Sequence, residues 1–237
     1  MRTTQRKPAA LPFCALGINT NCAPVLDVPV PGAHDVIGNR AYGATVEQVA
    51  ALGAEVAAGL MAGGVLPVMK HIPGHGRAGA DSHYDLPVVN TPRATLEATD
   101  FAPFRALAHL PAAMTAHVLF TDIDRERPAS TSLVVTAEII RGSIGFGGLL
   151  MSDDVSMKAL GGPLGARAEA VLAGGSDLVL HCNGIMAEME AVAAASPEIS
   201  GASGFRLEAA LAVLQQHEAF EPQLAEAAIA RALSVSA

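Results

Sequence analysis

The sequence predicts an α/β fold on a parallel sheet, arranged most simply as a (β/α) barrel. Two regularities predict it. Short apolar runs, five of them strand-like, alternate with longer stretches of helical spacing, the pattern of strands joined by right-handed crossovers. A polar cluster also follows nearly every strand: Asp27, Lys70 with His71, Thr115 with His117, Ser152 to Asp154, and His181 with Asn183. Parallel α/β folds build active sites at the C-terminal ends of their strands, where polar groups are costly to bury without a purpose. These strand ends therefore indicate one shared pocket.

The elements follow in order. Ile18 to Val28 reads as a strand and Thr45 to Ala62 as a helix by its apolar spacing. Gly64 to His71 is the next strand, followed by a Gly-rich loop to Pro92 and a helix from Arg93 to Leu107. Then come strand Ala112 to Val118, helix Thr136 to Gly142, strand Gly148 to Met151, helix Gly165 to Ala173 and strand Asp177 to Cys182. From Ile185 onward the pattern is helical, interrupted near Pro197 and Pro222, and the Ala-rich stretches 45–62 and 206–233 read as packing helices. Residues 1–17 form an irregular N-terminal segment, and 18–237 a single catalytic domain.

Composition bounds the class. The chain has 237 residues, close to the ~250 of a complete barrel, and 51% hydrophobic against 16% charged residues supplies a sizeable core. Trp is absent, so Ala, Val, Leu and Ile must build that core. A net charge of -8 argues against nucleic acid or an anionic membrane as partner. No run reaches the ~20 apolar residues of a membrane span. Arg2, Arg6 and Lys7 precede an apolar patch, but Pro12 breaks it and no small-x-small cleavage site follows, so a cytoplasmic protein is expected. Cys14, Cys22 and Cys182 are odd in number and lack CxxC spacing, as expected of thiols in a reducing compartment.

Two segments could carry chemistry. In KHIPGHGRAGADSH (70–83), His71 and His75 flank Pro73-Gly74, and Asp81 and His83 stand two apart, on one side of extended backbone. A carboxylate beside an imidazole fixes its tautomer and makes it a competent proton shuttle near neutral pH. The density of Gly74, Gly76 and Gly79 suits a mobile lid. In GLLMSDDVS (148–156), an apolar strand ends in Ser152-Asp153-Asp154. Asp153, first after the strand, is better placed to point inward as a nucleophile or metal ligand, roles that spacing alone does not assign, whereas Asp154 suits a cap or turn.

Ile139-Ile140-Arg141 followed by Gly148-Leu149-Leu150-Met151-Ser152-Asp153 resembles the active-site signature of family 3 glycoside hydrolases, with a departure at Ser143. KHIPGHG…DSH resembles the hallmark of the β-N-acetylglucosaminidase branch, and IGNRAYG, APVLDV, MTAHV and AGGSDLVLHCN read like the same branch in the same order, from Ile18 to Gly184. The resemblance implies Asp153 as nucleophile, His83 as acid/base with Asp81 as its partner, and Arg40, Lys70 and His71 as sugar-binding residues. It implies a retaining hydrolysis of terminal β-linked N-acetylglucosamine from muropeptides during peptidoglycan recycling, through a glycosyl-aspartate and without cofactor or metal. It also implies an incomplete TIM-type barrel of about five of eight βα units, beginning near the fourth strand, whose open edges invite self-association. Two rivals remain. His71, His75, Asp81, His83, His117, Asp153 and His181 are ligand types of metal-dependent barrel hydrolases, and the missing strands suit an inactive sugar-binding remnant.

Overall fold

The computed structural model describes residues 16–215 together with 227, 230 and 231. Cys14, His217, the break near Pro222 and most of the 206–233 helix lie outside the described residues, as does nearly all of the irregular N-terminal segment. Five parallel strands form the main sheet in chain order: β1 (Thr20–Asn21), β2 (Leu66–Ile72), β4 (Ala112–Thr115), β6 (Leu149–Asp154) and β7 (Leu178–Leu180). A small parallel pair, β3 (Val88–Val89) with β5 (Leu119–Phe120), sits beside it. The crossovers carry α1 (Val46–Ala62), the short α2 (Arg93–Ala98) and α3 (Ala102–Ala106), a π-helical segment Val135–Ser143 and α4 (Leu164–Ala173). Past β7 come α5 (Met186–Ala195) and α6 (Gly201–Leu211). This is the expected incomplete (β/α) barrel: one strand after another in sheet order, each crossover helical, with β1 and β7 at the sheet edges among the described residues.

Several boundaries differ from expectation for local reasons. The strand expected over Ile18 to Val28 shrinks to Thr20–Asn21 with an isolated bridge from Val25 to Lys70, because Pro24 has no N–H for a ladder. The helix expected from Arg93 to Leu107 breaks at Thr99, and Pro103 starts the second piece where its missing N–H is harmless. Strand β4 stops at Thr115, short of Val118. Strand β6 runs on to Asp154, so Asp153 belongs to the strand instead of following it.

Period-two alternation divides the sheet into two faces. Met69, Ala113 and Leu150 pack outward with Val49 and Ala57 of α1 and with Phe101 and Phe104, in the main core. Leu66 and Val68, Ala112 and Met114, Leu149 and Met151, and Leu178 and Leu180 face the other way. In a closed barrel this inner face would meet side chains of the opposite strands. Here Leu207, Ala210, Val213 and Leu214, from α6 and the turn after it, pack on it. Buried Asp177 ties α6 to the strand starts: Ser203 and Arg206 donate to one carboxylate oxygen, Arg141 and the Leu150 N–H to the other. Arg141 also donates to the carbonyls of Phe146 and Gly148, setting where β6 begins. Gly148 is required there, since a Cβ would lie 2.5 Å from the Pro111 carbonyl oxygen. Among the described residues, no helix is long and apolar enough to cross a membrane.

If α6 completes the inner face, Leu207→Asp should lower the unfolding free energy by about 2–3 kcal/mol, through lost apolar burial and a desolvated carboxylate. Urea denaturation checks this, and an unshifted midpoint would place the helix off the sheet.

Candidate active site

The polar residues gather at the C-terminal end of the sheet. Asp27, just past the Val25 bridge, has no exposed surface. One of its oxygens accepts the backbone N–H of His75 at 2.7 Å and that of His71 at 3.3 Å. The other meets His71 Nδ1 at 2.6 Å. Burial opposes ionisation of Asp27, but the imidazoles of His71 and His75 and these hydrogen bonds outweigh it and hold the carboxyl below its usual range. An ionised carboxylate only accepts, so His71 carries its proton on Nδ1 and turns Nε2 toward Asp153 Oδ2, 3.8 Å away. That separation is too long for a direct hydrogen bond.

Asp153 is buried near the end of β6, at alternate positions with Leu149 and Met151. Asp154 behaves as the turn residue expected: its carboxylate accepts from the Ser156 N–H and hydroxyl and from the Cys182 N–H. Its carbonyl receives a hydrogen bond from His117 Nε2 at 3.1 Å. A carbonyl cannot donate, so His117 Nδ1 is left to accept from the Ser130 hydroxyl at 2.7 Å. Burial pushes the His117 pKa down, consistent with a neutral ring that braces the end of β6. Burial, then the neighbouring His71, depress His75 in the same way.

The Gly-rich loop leaves β2 at Pro73. Gly76 is demanded by packing, since a Cβ would come within 2.0 Å of the Val28 carbonyl oxygen. At the far end Asp81 and His83 pair through a turn and not the extended backbone expected: Asp81 accepts from the His83 N–H at 2.9 Å and meets its Nδ1 at 2.6 Å. Burial opposes ionisation of Asp81, but the bonds from the His83 backbone and ring together prevail and keep its carboxyl low. The His83 ring is 55% exposed.

The remaining residues are more dispersed. Lys70 is half-buried at the end of β2, close enough to Cys22 to counter part of the rise that burial gives that thiol. Arg40, on a short turn Gly38–Arg40, is exposed and donates to the Val36 carbonyl, so the structure does not join it to the Asp27–His71–Asp153 group. His181 bonds Glu188 through Nε2. Cys22 and Cys182 are free thiols, and burial followed by Asp154 and Asp153 pushes Cys182 up to about 11. Among the described residues, no three His, Cys, Asp or Glu side chains converge as a metal site, so the metal-hydrolase rival lacks a donor set there. Sequence reasoning noted Asp27 only as a polar strand end. Its bonds span 44 and 48 residues, beyond any local spacing rule.

The sequence matches the family described as glycosyl hydrolase family 3 N terminal domain over residues 8–203, a longer stretch than the motifs at 18–184. A protein of Alkalilimnicola ehrlichii named beta-hexosaminidase is 43% identical over 173 residues, covering 71% of this chain and 49% of its own length. A beta-hexosaminidase of Bordetella parapertussis is 41% identical, over 71% of this chain and 48% of that protein. The chain thus spans about half the length of these curated relatives. Among solved structures, a glycoside hydrolase family 3 β-N-acetylglucosaminidase from Paenibacillus sp. str. FPU-7 superposes with a TM-score of 0.80 at 34% identity, covering 90% of this chain and 45% of that one. NagZ from Neisseria gonorrhoeae in complex with N-trifluoroacetyl-D-glucosamine gives 0.75 at 32% identity, covering 92% and 62%.

The titrating groups fix how stability responds to pH. His75 and His117 have folded pKa values below the ordinary 6.5, so their contribution is complete above that value and lost as pH falls beneath it. Asp27, depressed below 3.8, adds a second loss as pH falls through its folded value. Urea midpoints taken from pH 8 to 3 should therefore fall in two stages, the upper one shallower in His117→Gln and the lower one flattened in Asp27→Asn. A midpoint constant from pH 8 to 5 would contradict the buried neutral imidazoles.

Proposed function

The chain belongs to glycosyl hydrolase family 3, and from that premise we propose that it is a retaining β-N-acetylglucosaminidase, with Asp153 as nucleophile and His83 as acid/base. Two observations support this reading: a buried strand-end carboxylate, Asp153, and a separate carboxylate-backed imidazole, His83, that is exposed on a loop. Retaining glycosidases need a carboxylate at the anomeric carbon and a separate proton donor at the leaving oxygen. Asp153 would attack the anomeric carbon, forming the glycosyl-aspartate as the glycosidic bond breaks. His83, as imidazolium, would give its proton to the departing oxygen and then take one from the attacking water. Asp81 would orient the ring and stabilise its protonated form.

His71 would bind sugar. Its Nε2 and Asp153 Oδ2 leave a 3.8 Å gap that a hydroxyl could bridge, donating to one and accepting from the other if the ring is charged. Lys70 and Arg40 complete the proposed sugar contacts, Arg40 from an exposed turn that must approach the substrate. The substrate proposed is a muropeptide carrying terminal β-linked N-acetylglucosamine, cleaved in the cytoplasm during peptidoglycan recycling. The edge positions of β1 and β7 among the described residues support self-association as part of the same proposal.

A second reading has one specific support. Arg40 stands apart from the Asp27–His71–Asp153 group, so the site also fits a protein that binds sugar without turning it over. A p-nitrophenyl N-acetylglucosaminide assay separates the two. The enzyme reading expects turnover that falls on the order of 10³-fold or more in Asp153→Asn and 10²–10⁴-fold in His83→Ala. N-acetylglucosamine binding with no release of nitrophenol would favour the binding protein, and turnover untouched by Asp153→Asn would remove that residue from the chemistry.

A further inference from the structure

The loop carrying His83 has two parts with different attachments. Its base is fixed to the body of the protein: Gly76 lies against Val28, Arg77 donates to Asp100 at 2.6 Å and to Thr99, and the Ala78 carbonyl accepts the His34 N–H. Its tip is a turn closed by the N–H groups of Tyr84 and Asp85 on the Asp81 carbonyl. Between them stand Gly79 and Ala80, and a Cβ at Gly79 would meet nothing within 4 Å. That span has little to hold it in one conformation.

The tip nevertheless has a footing. Ser82 is only 3% exposed, although His83 and Tyr84 beside it are exposed. Its carbonyl accepts the Ala159 N–H at 3.1 Å, and its hydroxyl donates to Met157 Sδ at 3.8 Å. Lys158 places its ammonium 5.8 Å from the centre of the Tyr84 ring. All three contacts fall on the segment that follows the strand of Asp153. That segment is itself held: the Met157 N–H reaches the Asp154 carbonyl, and Arg167 donates to the carbonyls of Val155 and Met157 at 2.8 and 3.0 Å.

We propose that Met157–Ala159 is the docking platform that sets the position of His83 relative to Asp153, with Met157 and Lys158 as positioning residues for the acid/base. The inference rests on the role given to His83 above. Ser82 and Tyr84 bracket His83, so seating both fixes the backbone between them, while Asp81 fixes the ring. Platform and nucleophile belong to one short stretch of chain, so the distance from proton donor to nucleophile is set there and not at the far root of the loop. A thioether hydrogen bond and an exposed cation–π contact are each weak. The latch therefore holds the tip in register yet releases it, as a loop that must admit substrate requires.

Hydrogen exchange on the full chain tests the platform directly. Lys158→Ala and Met157→Leu should each speed exchange of the amides at 82–85 roughly three-fold, the loss expected from one exposed contact of this kind. Lys158→Arg should restore the wild-type rate, and amides of β6 should not change in any of the three. Aryl N-acetylglucosaminides of graded leaving-group acidity test the consequence. Lys158→Ala should lose kcat/KM with poor leaving groups and keep it with dinitrophenyl, because kcat/KM reports the first step, in which only the former need the proton of His83. Unchanged exchange in both variants overturns the platform, and an equal loss of kcat/KM across all leaving groups overturns its positioning role. A wild-type chain that hydrolyses no N-acetylglucosaminide refutes the proposed activity, and the exchange measurement alone then decides the platform.

Discussion

Asp27 is a carboxylate with no exposed surface and three donors around it. An ion in that position costs several kcal/mol of desolvation unless its oxygens are fully engaged. They are: one accepts the two backbone N–H groups of His71 and His75, the other takes the His71 ring. One side chain thereby fixes two unrelated things, the rotation of an imidazole that faces Asp153 and the backbone path by which β2 turns into the Gly-rich loop. Without the carboxylate, these donors would be buried and unpaired, each at a cost comparable to a lost hydrogen bond. The arrangement of this site depends on that one charge staying ionised.

Strand β6 is the second fixed part, and it is secured at both ends by different chemistry. At its start, Asp177 and Arg141 bind its backbone, an arrangement in which the arginine neutralises the carboxylate it shares with Arg206. At its end, His117 holds the Asp154 carbonyl while the Asp154 carboxylate gathers the following turn and the Cys182 N–H. The inner face between them is apolar toward the strand starts, where α6 covers it, and polar toward the strand ends. Asp153 sits at the boundary of those two regions. Packing below and hydrogen bonds above leave the carboxylate little freedom to move.

The fold was legible because alternation and strand-end polarity are local patterns repeated along the chain. Its boundaries were less so where one residue overrides a pattern, as Pro24 does in the first strand and Pro103 in the long helix. The site divided along the same line. The nearness of Asp81 to His83 could be read from a spacing of two, although a turn and not extended backbone joins them, and Asp154 as a turn residue from its place after an apolar run. Asp27 with His71, and His117 with Ser130, could not, because their partners are brought together by the crossovers and not by spacing. Nor could α6: an Ala-rich helix gives a weak apolar stripe, and only the open inner face of the sheet decides which side is buried.

Three imidazoles among the described residues have a carboxylate within ion-pair reach: His71 with Asp27, His83 with Asp81 and His181 with Glu188. A proton shuttle in a two-step displacement must meet the leaving oxygen and then a water molecule, so its ring has to be reachable as well as carboxylate-backed. The rings of His71 and His181 are 7% and 6% exposed, against 55% for His83. His71 is further committed, with Nδ1 bound to Asp27 and Nε2 turned toward Asp153. Burial suits a group that grips a sugar hydroxyl in a fixed direction and hinders one that must exchange protons with solvent. The contrast in exposure between two otherwise similar Asp–His pairs therefore favours His71 for binding and His83 for proton transfer, on physical grounds independent of the motif.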